Sequence, residues 1–292
     1  MTPLRKRMIE ELQLRNLSEI TTHTYVGMVE RYAKYFGAPP ERLGAEQVRE
    51  YLLHLINDHK AAPNTIQVTR AALKFLYVKT LKRPWFEEEV AKMKRPPLLP
   101  TVLSVEEITR ILDRTTNLKH WTMIATLYAT GLRCNELRHL KAGDIDRERM
   151  LIHVRHAKGR IPRDIGLSPA LLERLRIYWR SCKPQAWLFP SQKCAQRLLD
   201  EKSIRVACMN AGRRAGISKQ VSPHVFRHSC ATHMLEAGTD LRTIQVVLGH
   251  ADIQTTARYL RVSTAHIQAT ASPFDSLSLR PIGCAKEEEQ RR

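Results

Sequence analysis

The sequence predicts a mainly α-helical protein with a small antiparallel β-sheet: an N-terminal four-helix bundle followed by an α+β domain. Three observations predict this. Apolar residues recur at helical spacing through residues 1–85 and again from residue 104. From Asp144 to Leu167 the period shortens to two, as strands require. Between the helical stretches, FEEEVAKMKRPPLLPTVL at 86–103 carries Pro96, Pro97 and Pro100 and no periodic pattern, so it reads as a stiff linker. The expected layout is a helical domain over 1–85, a linker over 86–103, a second domain over 104–280 and a disordered tail over 281–292, with KEEEQRR at its end.

In the first domain, Leu4, Met8 and Leu12 mark one helix. Ser18 caps a second, whose apolar stripe is Tyr25, Met28, Val29, Tyr32 and Phe36 and whose stop is Gly37. Pro39 and Pro40 break the chain. Val48, Tyr51, Leu52, Leu55 and Ile56 form a third stripe, and Pro63-Asn64 open a fourth helix with Ile66, Val68, Ala72, Leu73, Leu76 and Tyr77. Short amphipathic helices bury their stripes against one another, hence a bundle. Arg31, Lys34, Arg70, Lys74, Lys79, Lys82 and Arg83 are interleaved with its aromatics and read either as a solvated face or as a surface for phosphates.

The second domain opens on a capping box, Ser104 with Glu107. A helix from about His120 runs through Met123, Ile124, Leu127 and Tyr128 to Thr130-Gly131, and Arg133 sits at the break that follows, with Glu136 one turn on. LIHVR alternates in strand fashion, HAKGR makes a turn, and Ile161, Ile165 and Leu167 continue the alternation. Lys158 is therefore expected near the tip of a β-hairpin. Helices return after Pro169 and again near Ser203–Ala215.

The chain has 292 residues, 43% of them apolar, enough for roughly two domains with real cores. Its formal net charge is +19 and its pI about 10.0, which points to a polyanion such as nucleic acid as partner. No apolar run approaches the roughly 20 residues of a membrane span, and the N-terminus lacks a signal-peptide core. The six cysteines form no C-x-x-C pair, so neither a zinc ribbon nor a disulfide framework is expected and a reducing, cytoplasmic compartment fits. His224, His228 and His233 lack the cysteine partners or H-E-x-x-H spacing of a zinc site.

The densest chemistry lies in SPHVFRHSCATHMLEAGTDLRTIQVVLGHADIQTTARY, residues 222–259, which reads as three short helices. Ser222 is an N-cap with Pro223 in the first turn, Gly238 and Gly249 are stops, and Asp240 caps the second helix. His224 and Arg227 are three apart, so they share a face near a helix N-terminus, where free N–H groups and the helix dipole favour phosphate. His250 offers a second imidazole, and Tyr259 a phenol oxygen able to act as a nucleophile. A lone histidine or tyrosine is more often packed than catalytic; the combination carries the argument.

Taken together, TGLR at 130–133 with Glu136, AKG at Lys158, H-x-x-R at His224 and Arg227, LGH at His250 and Tyr259, nine residues later, resemble the tyrosine recombinases. This is the phage integrase family, and the Xer-like and integron-type branches are the most similar. The resemblance extends along the whole chain and implies a helical DNA-binding N-terminal domain and a recombinase catalytic domain. It implies that Tyr259 attacks a DNA phosphodiester to form a 3′-phosphotyrosyl link. Arg133 and Arg227 would hold the non-bridging oxygens, His224 and His250 would position the phosphate and assist proton transfer, and Lys158 would protonate the leaving 5′-oxygen. It also implies double-stranded DNA as partner, a homotetramer on two sites, an accessory directionality factor, a nucleoid-associated state when DNA-bound, and no ATP, metal or other cofactor. Integration or transposition of a mobile element is the expected outcome. Dimer resolution, type IB topoisomerase-like relaxation and a DNA-binding regulator are the alternatives.

Overall fold

The computed structural model describes residues 1–88, 90, 99–155, 162–191, 194, 196–249, 253–257 and 259. It divides into two units, Met1–Pro97 and Leu98–Arg292. The first is built by α1 (Pro3–Leu14), α2 (Glu19–Phe36), α3 (Ala45–Asn57) and α4 (Pro63–Phe75), which a π-helical turn extends to Thr80. Ser18 caps α2 and Gly37 ends it with φ at 60°, as the sequence predicts. Tyr32 and Tyr77 meet through their hydroxyls at 3.1 Å inside this core, and Tyr77 also donates to the Leu43 carbonyl at 3.0 Å, so the buried phenols are satisfied. Several of the interleaved cations are engaged within the unit. Arg70 donates to the Val90 carbonyl, pairs with Glu87 and lies 5.4 Å from the Trp85 ring; Lys82 pairs with Glu11; Arg83 donates to the Glu41 carbonyl.

The second unit contains α5 (Val105–Asp113), α6 (Leu118–Thr130), α7 (Cys134–Arg138), β1 (Ile145–Asp146), β2 (Leu151–Val154), β3 (Arg163–Gly166), α8 (Pro169–Cys182), α9 (Glu201–Arg214), α10 (Pro223–Glu236), α11 (Leu241–Leu248) and α12 (Gln254–Ala257). The predicted capping box forms at α5: the Glu107 N–H donates to Ser104 Oγ, and the Ser104 N–H to Glu107 Oε2. The expected hairpin is β2–β3, antiparallel with Ile152 opposite Ile165, and a two-residue strand, β1, adds to its edge. The hairpin tip, with Lys158, lies outside the described residues, as do His250 and the tail from residue 260.

Helix α10 is the axis of this unit. It packs against α6, α9 and α11, and its buried residues run round the helix rather than along one stripe. Ser229 anchors the incoming chain to it, accepting from the Leu103 N–H at 2.9 Å while donating to the Val225 carbonyl. Gly131 ends α6 with φ at +60°, and a Cβ there would lie 2.6 Å from Leu248 Cδ2 on α11. Glycine is needed for both reasons. Gly131→Ala is expected to cost about 1–3 kcal/mol from left-handed strain and overpacking, read as a lower urea midpoint. An unchanged midpoint would mean that Leu248 moves aside freely.

Candidate active site

Three arginines converge on the C-terminal end of α11. Such an end carries unpaired carbonyls and the negative pole of the helix dipole, so it attracts cations. Arg163 Nε donates to the Val247 carbonyl at 2.7 Å. Arg133 Nη1 and Arg227 Nη2 both donate to the Leu248 carbonyl, at 3.1 and 2.5 Å, and Arg133 Nη2 reaches the Gly249 carbonyl at 3.1 Å. Arg227 also holds the Gly131 carbonyl at 2.5 Å, tying the stop of α6 to the end of α11. Gly249 turns the chain with φ at +61°, and a Cβ there would meet the Arg163 guanidinium at 3.0–3.1 Å. The turn leading to His250 is thus laid directly on arginine side chains.

One carboxylate organises the cluster. Glu136, 5% exposed, accepts a two-pronged bond from Arg163 at 3.0 and 2.9 Å, a bond from Arg133 Nη1 at 3.0 Å and the Arg133 backbone N–H at 2.9 Å. Burial would raise its pKa. The Arg163 fork, the backbone N–H and the two nearby positive charges outweigh that and hold it down at about 2. Three guanidiniums face this one carboxylate, so the cluster keeps an excess of positive charge. Arg227 shows the consequence. Only 3% exposed, it has its pKa pushed down to about 9, first by burial and then by the like charge of Arg133. An anion placed here would relieve that repulsion; the cluster is suited to a phosphate.

His224 occupies the first turn of α10, where Ser222 caps the helix. His224 is exposed overall, but partial loss of water around its ring, and then the charges of Arg227, Arg205 and Arg133, lower its pKa, so the neutral imidazole is favoured. Tyr259 is 1% exposed, among Ala231, Leu235, Ile244 and Leu248. Its hydroxyl lies 3.0 Å from His228 Nδ1 and close enough to Arg227 to influence its charge.

The structure therefore gathers Arg133, Arg227, His224 and Tyr259 of the predicted set into one centre, while Lys158 and His250 fall outside the described residues. In the sequence Glu136 stands one turn beyond Arg133 with no task assigned, Arg163 belongs to no motif, and His228 enters only among three histidines that lack the spacing of a zinc site. Signals for both existed. Arg163 shares the inward register of β3 with buried Ile165, and an inward arginine needs a buried partner. His228 lies one residue past Arg227 and four past His224, on the same helix face. Among the described residues no group of three His, Cys, Asp or Glu side chains is placed to hold a metal ion, and no helix is long and apolar enough to cross a membrane. His233, a third histidine of α10, instead meets the Tyr128 hydroxyl at 2.9 Å.

A polycationic centre set beside a tyrosine hydroxyl suits a protein that transfers a phosphoryl group to that tyrosine. The phage integrase family pattern matches residues 101–266, and the N-terminal SAM-like domain of phage integrases matches residues 4–87. The chain belongs to this family, the tyrosine recombinases, which cleave and rejoin DNA through a tyrosine intermediate. A Sinorhizobium fredii protein named as an integrase/recombinase is 44% identical over 278 residues, covering 95% of this chain and 90% of its own length. The tyrosine recombinase XerA of Thermococcus kodakarensis is 31% identical over 267 residues, 88% of this chain and 90% of that protein. The XerH site-specific recombinase, solved bound to its palindromic difH substrate after cleavage, shares the fold with a TM-score of 0.70 at 22% identity, over 89% of this chain and 82% of that one.

Proposed function

We propose that this protein is a site-specific recombinase of double-stranded DNA, acting as a homotetramer on two sites to integrate or move a mobile element, with Tyr259 as its nucleophile. The Tyr259 oxygen forms a bond to the scissile phosphorus and the P–O5′ bond breaks, leaving a 3′-phosphotyrosyl link and a free 5′-hydroxyl. Arg133 and Arg227 bind the non-bridging oxygens, where negative charge accumulates in the transition state. His224 and His250 hydrogen-bond the same phosphate, and Lys158 delivers the proton to the departing 5′-oxygen. Attack by a partner strand's 5′-hydroxyl reverses the steps. The covalent link keeps the phosphodiester energy, so ATP has no part to play.

The observation that carries this reading is the Leu248 carbonyl shared by Arg133 and Arg227. Side chains from the N-cap of α7 and from α10 aim at one point, in a cluster with more positive than negative charge. The test uses a duplex site selected by binding from random DNA and nicked so that the cleaved strand cannot be rejoined. The wild-type protein should accumulate as a covalent protein–DNA band, and Tyr259→Phe should give none. A band that persists with phenylalanine would place the nucleophile elsewhere.

A further inference from the structure

We propose that His228 is the group that takes the proton from Tyr259 during strand cleavage, an inference that rests on the nucleophile assigned above. A phenol ordinarily titrates near 10, so at neutral pH it attacks poorly unless a base removes its proton as the bond to phosphorus forms. A base has to lie within hydrogen-bonding reach of that proton. His228 Nδ1 is 3.0 Å from the Tyr259 oxygen, and the two rings are in contact, with centroids 5.7 Å apart. With its own proton on Nε2, a neutral imidazole accepts the phenolic hydrogen at Nδ1.

The placement on α10 separates this role from that of His224. His224 and His228 stand one turn apart on one face, and Arg227 projects to the buried side of it. His224, though exposed overall, is disfavoured as a proton acceptor by partial desolvation of its ring and by the neighbouring Arg227, Arg205 and Arg133 guanidiniums. Arg227 is the charged neighbour that feels Tyr259, and it stands in turn among Arg133 at the N-cap of α7, Glu136 on α7 and Arg163 on β3. In the forward step the proton passes from the Tyr259 oxygen to His228 Nδ1, the oxygen's electron pair forms the bond to phosphorus, and the pair of the P–O5′ bond leaves with the 5′-oxygen. In the reverse step His228 returns the proton to the departing phenolate. One histidine thus serves the tyrosine, while the leaving 5′-oxygen draws its proton from a different group.

The nicked duplex tests this under single-turnover conditions. His228→Gln keeps a side-chain oxygen that can accept the tyrosine hydrogen bond but supplies no base. Cleavage at pH 7 should slow about 10²–10³-fold, within the usual range for a positioned base. The deficit should shrink steadily as the pH is raised toward the ordinary phenol range of about 10, where the tyrosine ionises without help. Free imidazole should speed His228→Ala. A substrate with sulfur in place of the bridging 5′-oxygen, which departs without an acid, should leave the His228→Gln deficit intact. A wild-type rate in His228→Gln, a deficit constant with pH, restoration by the sulfur substrate, or no response of His228→Ala to imidazole would each overturn the assignment. Loss of the underlying reading is seen separately, as a covalent band that survives Tyr259→Phe.

Discussion

Arg227→Ala should slow single-turnover cleavage about 10²–10³-fold, equivalent to roughly 3–4 kcal/mol of transition-state stabilisation. Arg227 is buried with its charge already strained by Arg133, so a phosphate that arrives there meets a desolvated donor with little reorganisation left to make. Arg227→Lys should recover little of the loss. A single ammonium cannot span the Gly131 and Leu248 carbonyls while also facing a phosphate oxygen, as the fork does. The measurement is the rate of covalent-complex formation on the nicked duplex, with DNA binding followed in parallel. Cleavage by Arg227→Lys at the wild-type rate would mean that charge alone suffices and that the fork geometry is incidental.

Glu136→Ala should lower stability by about 3–5 kcal/mol, because it strands Arg133 and Arg163 in a buried site without their counter-charge. For a unit of this size that is a fall in melting temperature of about 6–20 °C. The pH dependence follows from the same carboxylate. Its folded pKa of about 2 lies below the ordinary 4.5, so its contribution is fully present above about 4.5 and disappears as the pH falls through 2. Wild-type protein should therefore lose stability across that acidic window, and Glu136→Ala should lose less there, since it has no such carboxylate to protonate. Equal acid sensitivity in the two proteins would remove Glu136 from this account.

How much of this was legible beforehand varied with the range of the interaction. The caps at Ser18, Ser104, Ser222 and Asp240 and the glycine stops at Gly37 and Gly249 are decided within four residues of chain, and each forms as read. The period-two pattern that starts at Asp144 covers the hairpin and β1 alike, but it does not set β1 apart as an edge strand, since two residues are too few to bound one. Arg163 escaped notice because one arginine in a basic chain resembles any other until its strand is laid against Glu136. His228 was visible as a helix neighbour of Arg227, yet its partner Tyr259 lies on a segment that only packing brings alongside.

The class of protein was legible from the family resemblance of its motifs, and local rules placed the elements that carry them. Net charge, two hydrophobic periods, short-range caps and a set of chemically apt residues in a familiar order are all readable without coordinates. What the tertiary structure alone decided is the company those residues keep. Val247, Leu248 and Gly249 offer three carbonyls at one helix end, and arginines from β3, the N-cap of α7 and α10 come to share them around a single buried carboxylate. Burial makes that sharing compulsory: away from water, each carbonyl and each charge needs a partner, and the chain path that supplies them all also points the guanidiniums at one place.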